Sequence, residues 1–416
     1  MKNRKPDAVY PVRSQHSEII PPVEWPRNRK EFDVRRDGVK VQRNAMMNVL
    51  KNPFGADLPL HRYPERKHEL LQAWDAADEL LLDHVATLAP GGKKILILGD
   101  SFGAISAALA EFHPTTYVDS YLGARGMAIN TQGKLKPLSR LKDLTGAYDL
   151  IFIRIPKNMS FFEDELAHVS RLAKPGALLV AGYMVKHQAN SAFDLIAKYF
   201  GETTTSLARK KARLIFATFA RSAVDSPYPL SVPMEGFPEP FVNHSNVFSR
   251  EKLDIGTRFF LEHLPKDDFK AILDLGCGNG AIGIGAKLRS PAAKVTFTDE
   301  SQMAVLSAEE NFGRCFPGAA GDGTFLWTNG IENGADESFD LVLCNPPFHQ
   351  GNAVGDFVAR EMFKSAHRVL RPGGLLRIIG NSHLLYGEEL RHGFGNAALV
   401  AKNAKFTVID SRKLPH

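Results

Sequence analysis

The tetrapeptide Asn345-Pro346-Pro347-Phe348 carries the most specific chemistry in the chain. Its two prolines lack N–H groups, so the turn offers acceptors without competing donors: the Asn345 side-chain oxygen and the Pro346 carbonyl. Two acceptors converging on one exocyclic amine of a nucleobase hold both of its N–H bonds. They favour a pyramidal nitrogen and release a lone pair otherwise delocalised into the ring. No strong general base is then needed, because the alkylated ammonium is acidic enough to lose its proton to water. Phe348 adds a flat face for a base that has left its stack, a contact worth about 1–3 kcal/mol. The plainer reading of the same residues is a rigid strand-ending turn with a core phenylalanine.

Upstream lies Asp274-x-Gly276-x-Gly278-x-Gly280, behind the apolar run Ala271–Leu275. Glycines there permit positive φ and let a ligand approach the backbone. Asp299 follows Gly280 by 19 residues at the end of the next apolar run, where a carboxylate commonly accepts hydrogen bonds from a ribose diol. Asn329, before the strand that leads to Asn345, is placed to pair with adenine, or to form a turn beside Gly330. The glycine pattern also satisfies a dinucleotide fingerprint, so a nicotinamide enzyme and a plain structural turn stand as alternatives. Asp274 weighs for S-adenosylmethionine: a carboxylate at that point attracts an ammonium group and repels a pyrophosphate.

His349 and Gln350 read as loop residues first and as contacts to base or phosphate second. Cys277 and Cys344 flank the motifs but read as small apolar filling, since no Asp or Asn is arranged to orient a histidine partner. The chain has 3 cysteines without CxxC spacing, so neither a disulfide framework nor a metal site is expected.

These residues need a scaffold, and the chain repeats one. Lys94-Ile-Leu-Ile-Leu-Gly99-Asp-Ser-Phe-Gly103 aligns with Ala271-Ile-Leu-Asp274-Leu-Gly276-Cys-Gly-Asn-Gly280 at an offset of 177. Four later blocks keep the order: Thr116–Ser120 with Thr296–Glu300, Tyr148–Phe152 with Phe339–Leu343, Ile155-Pro156-Lys157 with Asn345-Pro346-Pro347, and Arg171–Gly176 with Arg368–Gly373. Strand and helix patterns alternate in each half, which predicts βαβ units and a parallel sheet covered on both faces. Expected are two tandem Rossmann-like, doubly wound α/β domains, the second ending in an antiparallel pair over Ala398–Ile409. The first is degenerate, with Ile97 in place of Asp274 and Ile155-Pro156-Lys157 in place of the acceptor turn.

The expected boundaries are an extension over 1–59, a first domain over 60–225, a Pro-rich linker over 226–240 and a second domain over 241–416. With 44% hydrophobic and 24% charged residues, wholesale disorder and fibrous classes are excluded. No apolar run suggests a membrane span or leader, so a cytoplasmic location is expected. The first 51 residues hold 12 Lys or Arg and 6 Asp or Glu, so the net charge of +6 resides there. Such a tail could track a polyanion or be a solvated, poorly ordered extension.

Taken together, Asp274–Gly280, Asn345–His349 and the worn duplicate resemble the bacterial ribosomal RNA guanine-N2 methyltransferases. Leu71–Glu79, Thr203–Leu214 and Asn243–Gly256 resemble the type that acts on the large subunit, over residues 60 to 416. The resemblance implies a second half that binds S-adenosylmethionine and methylates a guanine 2-amino group in 23S rRNA, protein-free or in an early assembly intermediate. It implies a first half that holds RNA, for which Lys157, Arg209, Lys210, Lys211 and Arg213 are suited. Alternatives are the small-subunit (16S) enzyme of the same family and a non-catalytic rRNA-binding assembly factor.

Overall fold

In the computed structural model, residues 48–65, 71–187, 190–347 and 353–415 are described. A short antiparallel pair, β1 (Val49–Leu50) and β2 (Leu58–Pro59), opens the first half. It continues with α1 (Ala76–Thr87), β3 (Ile95–Leu98), α2 (Ala104–Ala108), β4 (Thr115–Tyr117), α3 (Tyr121–Asn130) and β5 (Tyr148–Arg154). It closes with α4 (Met159–Ser170), β6 (Ala173–Met184), α5 (Ser191–Tyr199), β7 (Thr203–Thr205) and β8 (Ala212–Thr218). Its six-stranded sheet has the order β4-β3-β5-β6-β8-β7, the first four parallel and the last two antiparallel.

The second half repeats this plan. A pair, β9 (Leu230–Val232) and β10 (Phe241–Asn243), precedes α6 (Ile255–Glu262), β11 (Ala271–Leu275), α7 (Ala281–Arg289), β12 (Lys294–Asp299), α8 (Gln302–Cys315) and β13 (Gly323–Trp327). Then come β14 (Phe339–Cys344), α9 (Ala353–Val369), β15 (Leu370–Asn381), α10 (Tyr386–Phe394), β16 (Ala398–Lys402) and β17 (Phe406–Arg412). The sheet order is β13-β12-β11-β14-β15-β17-β16, with the expected antiparallel pair at one edge. Strands buried on both faces explain the unbroken apolar runs: all four residues of β3 are buried, and Leu341–Cys344 likewise. Strand order reverses between β11 and β14, so the crevice at their carboxyl ends is where a ligand is expected in such a sheet.

Two expected boundaries move. Packing begins before residue 60, because Leu50 and Leu60 are both buried in one cluster with Leu81, Ile97 and Phe152. Segment 226–240 is no free linker: β9 pairs with β10, while Met234, Val232 and Phe237 join the second core. Proline does block helix there, but it leaves room for a short edge pair.

The halves meet through the ends of their second strands, in a pseudo-symmetric exchange. Tyr121 N–H donates to the Glu300 carbonyl and Gln302 N–H to the Asp119 carbonyl, both at 2.9 Å. The Asp119 carboxylate accepts from Ser301 Oγ (2.5 Å) and Met303 N (2.8 Å) at the start of α8. Glu300 reciprocates at the start of α3, accepting from Ser120 Oγ and Leu122 N. Each acid thus serves the N-terminal N–H groups and positive dipole end of the other half's helix.

Candidate active site

The glycine loop is held open by its backbone. Gly276, Gly278 and Gly280 have φ of +75°, +54° and +83°, and a Cβ added to Gly278 would meet nothing within 4 Å. The loop is braced from behind by amides: Asn279 Nδ2 donates to Asn243 Oδ1 (3.1 Å) and Asn311 Nδ2 to the Asn279 carbonyl (3.0 Å). Asn243 also donates to the Arg250 carbonyl at 2.7 Å, which ties the segment before α6 to the loop. That brace escaped sequence reasoning, which used Asn243–Gly256 only as a resemblance.

Asp274, on β11, has its Oδ2 bonded to Gly283 N–H at 2.7 Å, while Oδ1 is buried without a partner. Burial is the main cause that pushes its carboxyl up to about 8; Asp299 adds to it and the Gly283 bond opposes it. Gly283 must be glycine, because a Cβ would lie 2.3 Å from Phe297. Across the crevice, β14 delivers Asn345 with its side-chain oxygen also buried and unpartnered. Two orphaned acceptors beside an open glycine loop fit a ligand that brings a cation and N–H donors, since leaving either unsatisfied costs about 1–3 kcal/mol. Pro346 is buried and Pro347 exposed; Phe348, His349 and Gln350 lie outside the described residues.

Asp299 ends β12. Its Oδ2 accepts Gly278 N–H and its Oδ1 Ser301 N–H, both at 2.9 Å, and burial raises its carboxyl. Thr328 N–H donates to the Asp299 carbonyl at 3.0 Å, which sets Asn329 beside it, with its Nδ2 bonded to Glu332 at 3.0 Å. Cys277 and Cys344 are buried, and burial pushes both thiols up, as small core fillers should behave. Among the described residues no group of three or more His, Cys, Asp or Glu could hold a metal ion, and no helix is long and apolar enough to cross a membrane.

The first half keeps the backbone of this site and loses its chemistry. Gly99 and Gly103, the counterparts of Gly276 and Gly280, retain φ of +73° and +81°. Ser106, aligned with Gly283, still has its N–H bonded to a carboxylate at 2.8 Å, but it comes from Asp100 within the loop. Sheet register corrects the expected alignment by one residue. Ile97 pairs with Phe152 as Asp274 pairs with Leu343, so Arg154, and not Ile155, stands where Asn345 stands. Arg154 ion-pairs with Asp75 (3.0 Å) and with Asp78 on α1, filling the position with an internal bridge. Asp119, the counterpart of Asp299, is spent on Asn246, Ser301 and Met303 of the second half.

Five cations were expected to face RNA, and they divide. Lys157 and Lys211 are exposed at the carboxyl edge of the first sheet. Arg209 and Lys210 are tied to Asp83 and Glu79 on α1, and Arg213 is half-buried. Reciprocal bonds between Arg209 and Ala212, at 2.9 and 2.8 Å, make Lys210-Lys211 a two-residue hairpin turn with φ of +49° and +64°. Asn-Gly is the usual choice there, so two lysines with positive φ represent local backbone strain.

Residues 47–221 match the family described as RLMG N-terminal domain, and residues 239–410 that described as Methyltransferase small domain. Pseudomonas putida has a protein named Ribosomal RNA large subunit methyltransferase G that is 42% identical over 379 residues, spanning 88% of this chain and all of the relative. A protein of the same name from Erwinia tasmaniensis is 42% identical over 366 residues, covering 86% of this chain and 97% of its own. Among solved structures, the T. thermophilus 16S rRNA N2 methyltransferase RsmC, in complex with AdoMet and guanosine, has a TM-score of 0.72. It shares 24% identity and covers 89% of this chain and 99% of its own, a likeness of fold in both halves. With that identity carried across almost all of two matching domains, the chain belongs to the family of ribosomal RNA large subunit methyltransferase G.

Proposed function

We infer that the chain transfers a methyl group to the exocyclic 2-amino group of a guanine in large-subunit (23S) ribosomal RNA. The observation that carries this reading is the buried, unpartnered Asn345 oxygen at the switch point of the second sheet. Bound S-adenosylmethionine supplies the electrophilic methyl carbon. Asp274 Oδ1 receives an ammonium group, the Gly276–Gly280 loop passes close to the ligand backbone, and Asp299 takes the ribose hydroxyls, with Asn329 at the base. Asn345 and the Pro346 carbonyl orient the guanine amine, Pro347 stiffens the turn and Phe348 stacks on the base. The guanine amine is itself the nucleophile, so orientation and electrostatics carry the reaction, and the buried thiols of Cys277 and Cys344, which burial pushes up, stand as core filling.

The first half serves as a platform, with Lys157 and Lys211 the leading phosphate contacts. Its own site is closed by Arg154 and Asp119. The division of labour is an N-terminal extension, an RNA-holding half and a catalytic half. Choice of the large subunit is supported by relatives 42% identical that bear that name, against 24% for the small-subunit enzyme of known structure. Protein-free RNA or an early assembly intermediate is the expected substrate, because a splayed base must reach a crevice between two strands; the cytoplasm is the expected place, in keeping with relatives named for ribosomal RNA. Asn345→Ala should abolish methyl transfer to protein-free 23S rRNA, at least about a hundredfold, while S-adenosylhomocysteine still binds within about threefold in calorimetry. Retained activity in that variant would remove the assigned mechanism.

A further inference from the structure

The segment that follows β13 is gripped by the first half. Tyr63 Oη donates to Glu332 at 2.9 Å from each carboxylate oxygen, and Tyr121 Oη lies 3.5 Å from Oε2. Burial and the neighbouring Glu332 push the Tyr63 phenol up to about 12, so it stays a donor across physiological pH. Tyr121 also packs edge-to-face on Trp327, with centroids 5.5 Å apart, and the Trp327 indole N–H donates to the carbonyls of Asp119 (3.0 Å) and Glu300 (2.9 Å). Asn329 sits between these anchors, its amide Nδ2 3.0 Å from Glu332 Oε1.

A carboxylate can only accept, so the atom of Asn329 that faces Glu332 must be the NH2 group. The Asn329 oxygen is thereby turned away from Glu332. Flipping the amide would set two acceptors 3.0 Å apart.

We propose that Glu332 is a positioning residue that fixes the Asn329 oxygen toward the cofactor's base, and that Tyr63 and Tyr121 of the first half hold Glu332 in place. The fixed oxygen accepts from a 6-amino purine and meets a 6-oxo purine acceptor to acceptor. The worn duplicate therefore contributes to cofactor selectivity as well as to holding RNA. This inference rests on the reading of Asn329 as the contact to adenine.

The test is calorimetric binding of S-adenosylhomocysteine and S-inosylhomocysteine to the full chain and its variants. Wild type should prefer the adenine ligand by about tenfold or more, the loss expected when a site's acceptor faces another acceptor. In Glu332→Ala the amide is free to turn, and the ratio should fall to within about threefold. Tyr63→Phe with Tyr121→Phe should shift it the same way. A role of Glu332 in folding alone would weaken both ligands alike and leave the ratio unchanged, which overturns the proposal. Asn329→Ala separates the two levels. If it leaves the wild-type ratio intact, the adenine reading fails. If it removes the ratio while Glu332→Ala retains it, that reading stands and the proposal falls.

Discussion

Replacing Asp274 by Asn should alter the pH dependence of cofactor binding more than its strength at neutral pH. Asn can keep the bond to Gly283 N–H through its own oxygen, so the loop remains supported. What it loses is the charge. With the carboxyl pushed up to about 8, about 1% is ionised at pH 6 and about half at pH 8. A ligand ammonium selects the ionised form, so wild-type affinity for S-adenosylhomocysteine should rise about fifty-fold between those values, with about 0.9 proton released per binding event at pH 7. A charge-assisted hydrogen bond contributes about 1.5–3 kcal/mol, and expelling the proton at pH 7 costs about 1.4 kcal/mol. Asp274→Asn should therefore weaken binding by at most about fifteen-fold at pH 7, by about six- to eighty-fold at pH 8, and hardly at all at pH 6. Calorimetry at the three pH values, in two buffers of unlike ionisation enthalpy, reads both affinity and protons. Parallel pH profiles for the two proteins, or no proton release from wild type, would refute the reasoning. Stability without ligand follows the same sign. A carboxyl raised above its unfolded value favours the protonated fold, so this group subtracts stability as pH rises from about 4 to about 8, and the Asn variant should lack that slope.

Arg154→Ala should destabilise the chain by about 3–5 kcal/mol in urea unfolding, because Asp78 stays buried without its counter-charge; a loss below about 1 kcal/mol would mean the bridge is dispensable. Adding Asp75→Asn and Asp78→Asn should recover much of it. Lys157→Ala with Lys211→Ala should lower the salt slope of 23S rRNA binding by about 1.4–1.8, two phosphate contacts' worth, whereas the ion-paired Arg209 and Lys210 should each change it less. Equal slopes before and after the double substitution would put the RNA path elsewhere.

Much of the scaffold was legible because the physics that sets it is local. Glycines at 99, 103, 276 and 280 mark turns that need positive φ, and all four have it. The apolar runs ending at Leu98 and Leu275 became buried strands at matching positions of their sheets. The one-residue error at Arg154 arose because Ile155-Pro156 mimics the prolines of the second turn, while only hydrogen-bond register fixes which residue ends the strand. Nothing local marks Asp119 and Glu300 as an exchanged pair, since their partners lie about 180 residues away. Glu332 was equally silent: the partners of its carboxylate come from residues 63, 121 and 329, and only the packed halves bring them together.

The most direct measurement is mass mapping of nucleosides after the full chain has acted, with S-adenosylmethionine, on protein-free 23S and 16S rRNA in parallel. The expected product is N2-methylguanosine at one position of the 23S RNA and none in the 16S RNA. Methylation of 16S RNA alone, or a methyl group on any atom other than a guanine 2-amino nitrogen, would contradict it.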